Sequence, residues 1–180
     1  MRKALLFLGI LNDTDVDWMI TAGTRHTVPA GEVLIHEGQP VQSVFLVLDG
    51  TFVVSTAALG AKQIARLMCG EVVGEMSFVD SRRPSASVTA IEPSAVLAIS
   101  RHTLVRKLEE DVGFAARFYR AIAVFLSDRL RTTVGLLGYS QGRKLDDDSQ
   151  YDDELDPETL ENLSIAGARF DLLQRRLRTL

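Results

Sequence analysis

The sequence predicts an α+β fold that is mainly β: a roll, barrel or sandwich of seven or eight short strands, with short helices before it and a long helix after it. Three observations carry this. Short β-rich runs recur at about ten-residue spacing between residues 24 and 99, with glycines at the corners. From Arg101 onward the apolar spacing becomes helical. Residues 145–163 then hold nine carboxylates and no Lys or Arg, setting the last helical pattern apart from the rest.

Taken in order, Ala4 to Leu11 reads as a short helix. Asn12 or Asp13 can cap a second helix carrying Val16, Trp18, Met19 and Ile20, which Gly23 ends. Strand runs follow at Thr24 to Pro29, Glu32 to Glu37 and Ser43 to Leu48, parted by the turn signals Pro29-Ala30-Gly31 and Gly38-Gln39-Pro40. Val44 to Leu48 is unbroken apolar, which predicts a strand covered on both faces. Asp49-Gly50 predicts a hairpin turn into Thr51 to Thr56. Gln63 to Met68, Ser85 to Ile91 and Ala95 to Ile99 complete the strands.

Arg101 to Val112 is helical, Asp111-Val112-Gly113 breaks it, and Phe114 to about Leu137 forms the longest helix. Phe118, Ile122, Phe125, Leu126, Leu130 and Val134 share one broad face. That face is wide enough to pack on the β-roll and also to pair with a second copy, so a homodimer is expected. Residues 138–156 predict a flexible acidic linker, without the Asp/Asn spacing and central glycine of a calcium loop. Asp156 then caps a terminal amphipathic helix over 157–180, with Pro157 in its first position. Leu160, Leu163, Ala166, Phe170, Leu173 and Leu177 line one face of it, and arginines crowd its last turns. The first 137 residues thus form the main domain.

Composition excludes several classes. At 180 residues, 46% hydrophobic and 24% charged, the chain fits one domain with an appendage. The single cysteine, Cys69, rules out a disulfide framework, fits a reducing cytoplasm, and reads as a small buried hydrophobe. The N-terminal apolar run is short and meets Asp13, Asp15 and Asp17, unlike a signal peptide, and no stretch is apolar enough to span a bilayer. Net charge is −4 with no concentrated basic stripe, which argues against direct DNA binding. His26, His36 and His102 stand apart from any second metal ligand. No nucleophile elbow, phosphate-binding loop or kinase signature occurs, so the protein is expected to be non-catalytic and free of metal.

The chemistry concentrates in Gly70 to Val88, GEVVGEMSFVDSRRPSASV. Its small residues let a ligand approach the backbone. Glu75 can accept hydrogen bonds from sugar hydroxyls. Arg82 and Arg83 can meet phosphate oxygens with multi-donor forks. Gly74-Glu75-Met76-Ser77 can start a short helical turn.

This stretch, with AGEVLIHEGQPVQSVFLVLDGTFVV before it, resembles the cyclic-nucleotide-binding domain, the sensor of the catabolite-activator family and of cyclic-AMP-dependent kinase regulatory subunits. The resemblance covers about residues 1–137 and implies an eight-stranded, jelly-roll-like β-roll with N-terminal helices, a long C-terminal helix and here an extra terminal helix. It implies that Gly70 to Val88 is a phosphate-binding cassette, in which Glu75 takes the ribose 2′-hydroxyl and Met76 to Val79 forms a short helix. In the family's Arg-x-Ala-Ser/Thr motif the arginine pairs the cyclic phosphate. Here Ala86-Ser87 aligns with its second half, preceded by Ser85, and the arginine's place falls on Pro84, with Arg83 displaced by one.

Three readings follow. Arg82 or Arg83 restores cyclic AMP or cyclic GMP binding; the pocket is degenerate and the domain only an interaction module; or the pocket takes a larger ligand. Similarity of Arg-Arg-Pro-Ser-Ala-Ser to cyanobacterial receptors of this fold favours cyclic di-GMP. Family members move the long helix over the base, where Asp128, Arg129 and especially Arg131 could serve. The 43 residues after 137 are too few for a winged helix-turn-helix, so the expected output is contact with a protein effector, such as a transcription factor, through the terminal helix.

Overall fold

The computed structural model describes residues 7–60, 62–140 and 157–178. Helix α1 (7–10) and α2 (Asp13–Ala22) lead into β1 (Thr24–Val28), β2 (Val33–Ile35), β3 (Ser43–Asp49) and β4 (Thr51–Thr56). A 3₁₀ turn (Ala57–Leu59) precedes β5 (Lys62–Met68), β6 (Val72–Val73), α3 (Glu75–Asp80), β7 (Ser87–Ala90) and β8 (Ser94–Ser100). Helices α4 (Arg101–Glu110), α5 (Val112–Ser140) and α6 (Pro157–Arg178) complete the order. The strands form two four-stranded antiparallel sheets, β1-β8-β3-β6 and β2-β7-β4-β5, so the mainly β roll is present with eight strands.

Strand β3 shows why the roll is stable. Its side chains alternate between faces, as a pleated strand requires. Val44, Leu46 and Leu48 enter a core shared with α1, α2, α4, α5 and α6, while Phe45 and Val47 enter the core between the sheets. Strand β8 repeats this, with Ala95, Leu97 and Ile99 on the helical side and Val96 on the inner side. The unbroken apolar run at Val44 to Leu48 is therefore a strand covered on both faces.

Two local expectations change. Asp49-Gly50 does not close a hairpin: β3 and β4 lie in different sheets, and the turn carries the chain between them. Gly50 has φ 84° and packs directly on Ser94, leaving no room for a Cβ. Val72-Val73, absent from the strands expected from sequence, is the edge strand β6, paired with Leu46 and Phe45.

The helix ends follow their capping chemistry. Asn12 caps α2 in a reciprocal box with Asp15. Asp111 alone separates α4 from α5, and its Oδ1 accepts from the Phe114 N–H at 2.8 Å. Helix α5 reaches Ser140, past the boundary expected near Leu137, and residues 141–156 of the expected acidic linker lie outside the described residues.

Helix α6 packs on its own chain. Ala166, Leu173 and Leu177 are buried in the helical core, with Phe170 against it. Arg169 Nε donates to Asp13 Oδ1 at 2.6 Å, and its Nη1 to the Leu8 carbonyl at 3.1 Å. Arg176 pairs with Asp17, and Gln174 donates to the Leu48 carbonyl. The side chains of Leu160 and Leu163 lie outside the described residues.

Candidate functional site

The site starts at Gly74. It has φ 85°, and a Cβ there would lie 2.9 Å from the Ser43 carbonyl oxygen, so the position needs glycine on two counts. This sharp exit from β6 starts α3 and turns Glu75 into the protein, where it is 2% exposed. Arg129 of α5 meets it: Nη1 donates to Glu75 Oε1 at 2.6 Å, and Nη2 lies 3.7 Å from Glu71 Oε2. The same guanidinium stacks 5.0 Å over the Phe125 ring. Two buried carboxylates thus face one arginine. Burial raises the Glu75 carboxyl above its ordinary value; Arg129 and the backbone N–H groups of residues 75 and 76 pull it back, and Glu71 adds to the rise.

A cavity of about 270 Å³ opens against this cluster. Its floor is apolar, from Ile35, Val54, Leu67, Val73 and Val88. One wall is Gly74, Glu75, Met76, Ser77 and Asp80 of the α3 segment; the other is residues 82–86; Arg129 closes it from the long helix. A floor without charge, one deep carboxylate and cations at the rim suit a ligand with a planar or apolar body, a hydroxyl donor and an anionic group.

Most of the sequence-predicted residues converge. Gly74, Glu75, Met76, Ser77, Arg82, Arg83, Ser85 and Ala86 all line the cavity. Ser87 does not: its Oγ accepts from the Glu37 N–H at 3.0 Å and ties β7 to the segment after β2. Arg131 is exposed on α5 and does not line the cavity; Arg129 does. Pro84 lines it as well, with its carbonyl accepting from the Gly38 N–H at 2.9 Å. Beside it, Arg83 Nη1 donates to the Gly38 carbonyl at 3.0 Å. Arg82 is 87% exposed, with Nε 4.0 Å from Asp80 Oδ2.

Sequence reasoning missed the floor residues and Asp80. Strand alternation marks Val54, Leu67 and Val88 as inward positions, but only the sheet order puts them under one cavity. Glu71 carried a signal too, standing four residues before Glu75 in a repeated Gly-Glu. Cys69 Sγ lies 3.1 Å from the Leu48 carbonyl, and burial, with Asp49, raises its thiol pKa. That is the behaviour of a packing residue rather than a nucleophile.

Residues 25–111 match the family model of the cyclic nucleotide-binding domain. This segment belongs to that family. Among relatives, the cyclic AMP receptor protein of Thermus thermophilus is 32% identical over 113 residues, 60% of this chain and 52% of that protein. An NTE family protein of Mycobacterium bovis is 30% identical over 128 residues, 69% of this chain and 22% of its own length. The chain therefore spans about half or less of the curated relatives it matches. In structure, a cyclic nucleotide-binding domain from Methylobacillus flagellatus superposes with a TM-score of 0.70 at 21% identity, over 80% of this chain and 86% of that one, a likeness of fold. The cavity lies inside the matched segment except for Arg129.

Proposed function

We propose that the cavity binds a cyclic mononucleotide, cyclic AMP first, and that the protein is a non-catalytic receptor for it. The observation that carries this is one buried carboxylate, Glu75, sharing a cavity of about 270 Å³ with Arg82 and Arg83. Glu75 would accept from the ribose 2′-hydroxyl, Arg83 with Arg82 would meet the cyclic phosphate, and the apolar floor would take the base. A mononucleotide matches the lining better than the cyclic di-GMP that the sequence suggests: the cavity offers one buried carboxylate, Glu75, for one ribose, and a cyclic dinucleotide carries two of every part. The name of the Thermus relative, cyclic AMP receptor protein, points the same way.

One observation keeps cyclic di-GMP as the second reading. Arg82 stands almost fully in solvent at the rim, where it could meet a second phosphate. Equilibrium binding to an Arg82→Ala/Arg83→Ala variant tests the assignment. A charge-assisted hydrogen bond contributes about 1.5–3 kcal/mol, so cyclic AMP affinity should fall at least about tenfold. Unchanged affinity would remove the arginines from the phosphate site. Intact nucleotide after long incubation supports a receptor; turnover would make the protein an enzyme.

The output we infer is protein contact in the cytoplasm, by a homodimer acting on a protein effector such as a transcription factor. Leu130 and Val134, one turn apart on α5 and 64% and 59% exposed, support self-association along that helix. The sequence offered α6 as the effector contact, but the described part of its apolar face, Ala166, Phe170, Leu173 and Leu177, packs on its own domain. Among its described residues, Ile165 and Leu172 point outward.

A further inference from the structure

We propose that Arg101 is a positioning residue for the nucleotide site, holding the end of α3 so that Arg82 and Arg83 face the cavity. This rests on the reading of that cavity as a cyclic nucleotide site. Arg101 is the first residue of α4, outside the cassette. A cation at a helix N-terminus opposes the helix dipole, so α4 gains nothing from an arginine there. The explanation lies at the other end of its side chain. Nη1 donates to the Ser77 carbonyl at 3.0 Å, Nη2 donates to Ser81 Oγ at 2.9 Å, and the guanidinium sits 5.2 Å over the Phe78 ring. One fork therefore grips three residues at the C-terminus of α3, where a cation complements the dipole and a carbonyl lacks its helical partner.

The gripped segment is strained. Ser81 has φ 59°, the one positive φ at a non-glycine position among the described residues. It ends α3, and the next two residues are Arg82 and Arg83. The direction in which they leave the helix is set by the Ser81 turn, and the turn is held from outside by Arg101. Arg101 is itself anchored, its backbone N–H donating to the Gln42 carbonyl at 2.8 Å. The planar guanidinium can make both bonds at once; a lysine ammonium has the charge without the fork. Arg101 lines no part of the cavity and would touch no ligand.

Calorimetric titration of the full chain with cyclic AMP tests this, alongside thermal melting of each variant. Arg101→Gln should weaken binding about tenfold, and Arg101→Lys by a smaller factor. In the Arg82→Ala/Arg83→Ala background, Arg101→Gln should cause no further loss, because the groups it positions are gone. A merely structural role would lower the melting temperature equally in both backgrounds and leave affinity alone. Ser81→Gly is the second probe. It removes one partner of Arg101 yet suits the positive φ, so melting should hold or rise while affinity falls. If Arg101→Gln does not fold, Arg101→Lys and Ser81→Gly decide. An undiminished affinity in the Arg101 variants, or equal losses in both backgrounds, overturns the proposal while the nucleotide site stands. A wild-type chain that binds no cyclic nucleotide overturns both together.

Discussion

Burial and ligand binding make opposite demands on Glu75. Because burial raises its pKa, the folded protein holds the proton more readily than the unfolded chain does. The stability this contributes is present below the ordinary carboxylate value and is lost as pH rises through the raised folded value. In the proposed site the nucleotide would meet the ionised carboxylate as acceptor, so affinity should fall on acidification through that same raised value. The expected outcome is an acid loss of cyclic AMP affinity in the wild type that is absent in Glu75→Gln, whose affinity is low throughout; binding across a pH series reads it. Gly74→Ala should also weaken binding at least about tenfold, since a left-handed φ and the nearby Ser43 carbonyl both oppose a side chain. At this scale the sequence exposed Glu75, Arg82 and Arg83 by type and spacing. It could not separate Arg129 from Arg131. Two residues along a helix turn a side chain by about 200°, and only the packing of α5 says which arginine faces inward.

The strands were legible because each face has its own core, and that imposes the alternation seen in β3 and β8. β6 was not, because two residues are too few to carry a period. Asp49-Gly50 announced a turn correctly, but turn chemistry specifies local backbone and not which sheet the next strand joins. The terminal helix was legible as amphipathic, while its docking partner was not, because its burial depends on contacts more than a hundred residues away. That docking makes a prediction. Leu173 is fully buried, so Leu173→Ala should cost about 2–5 kcal/mol in urea unfolding. Arg169→Ala should cost about 1.5–3 kcal/mol through its bonds to Asp13 and the α1 carbonyls. Neither should change cyclic AMP affinity, since no described residue of α6 lines the cavity. On α5, Leu130→Glu/Val134→Glu should shift the chain toward monomer in light scattering while leaving the melting temperature nearly unchanged, because both side chains are exposed.

Across the whole molecule, the cavity joins parts distant in sequence: the β-roll floor, the α3 segment and the arginine of α5. Glu75 and Arg129, 54 residues apart, bridge the β-roll and the long helix. A ligand competing for Glu75 therefore acts on α5 directly, and α5 carries the exposed Leu130 and Val134. No helix among the described residues is long and apolar enough to cross a membrane. Calorimetric titration of the full chain with cyclic AMP, cyclic GMP, cyclic di-GMP and cyclic di-AMP identifies the ligand. Saturable heat with a cyclic mononucleotide, at one per chain and lost in Arg82→Ala/Arg83→Ala, is the predicted result. Heat only with a cyclic dinucleotide, or with none of the four, would contradict it.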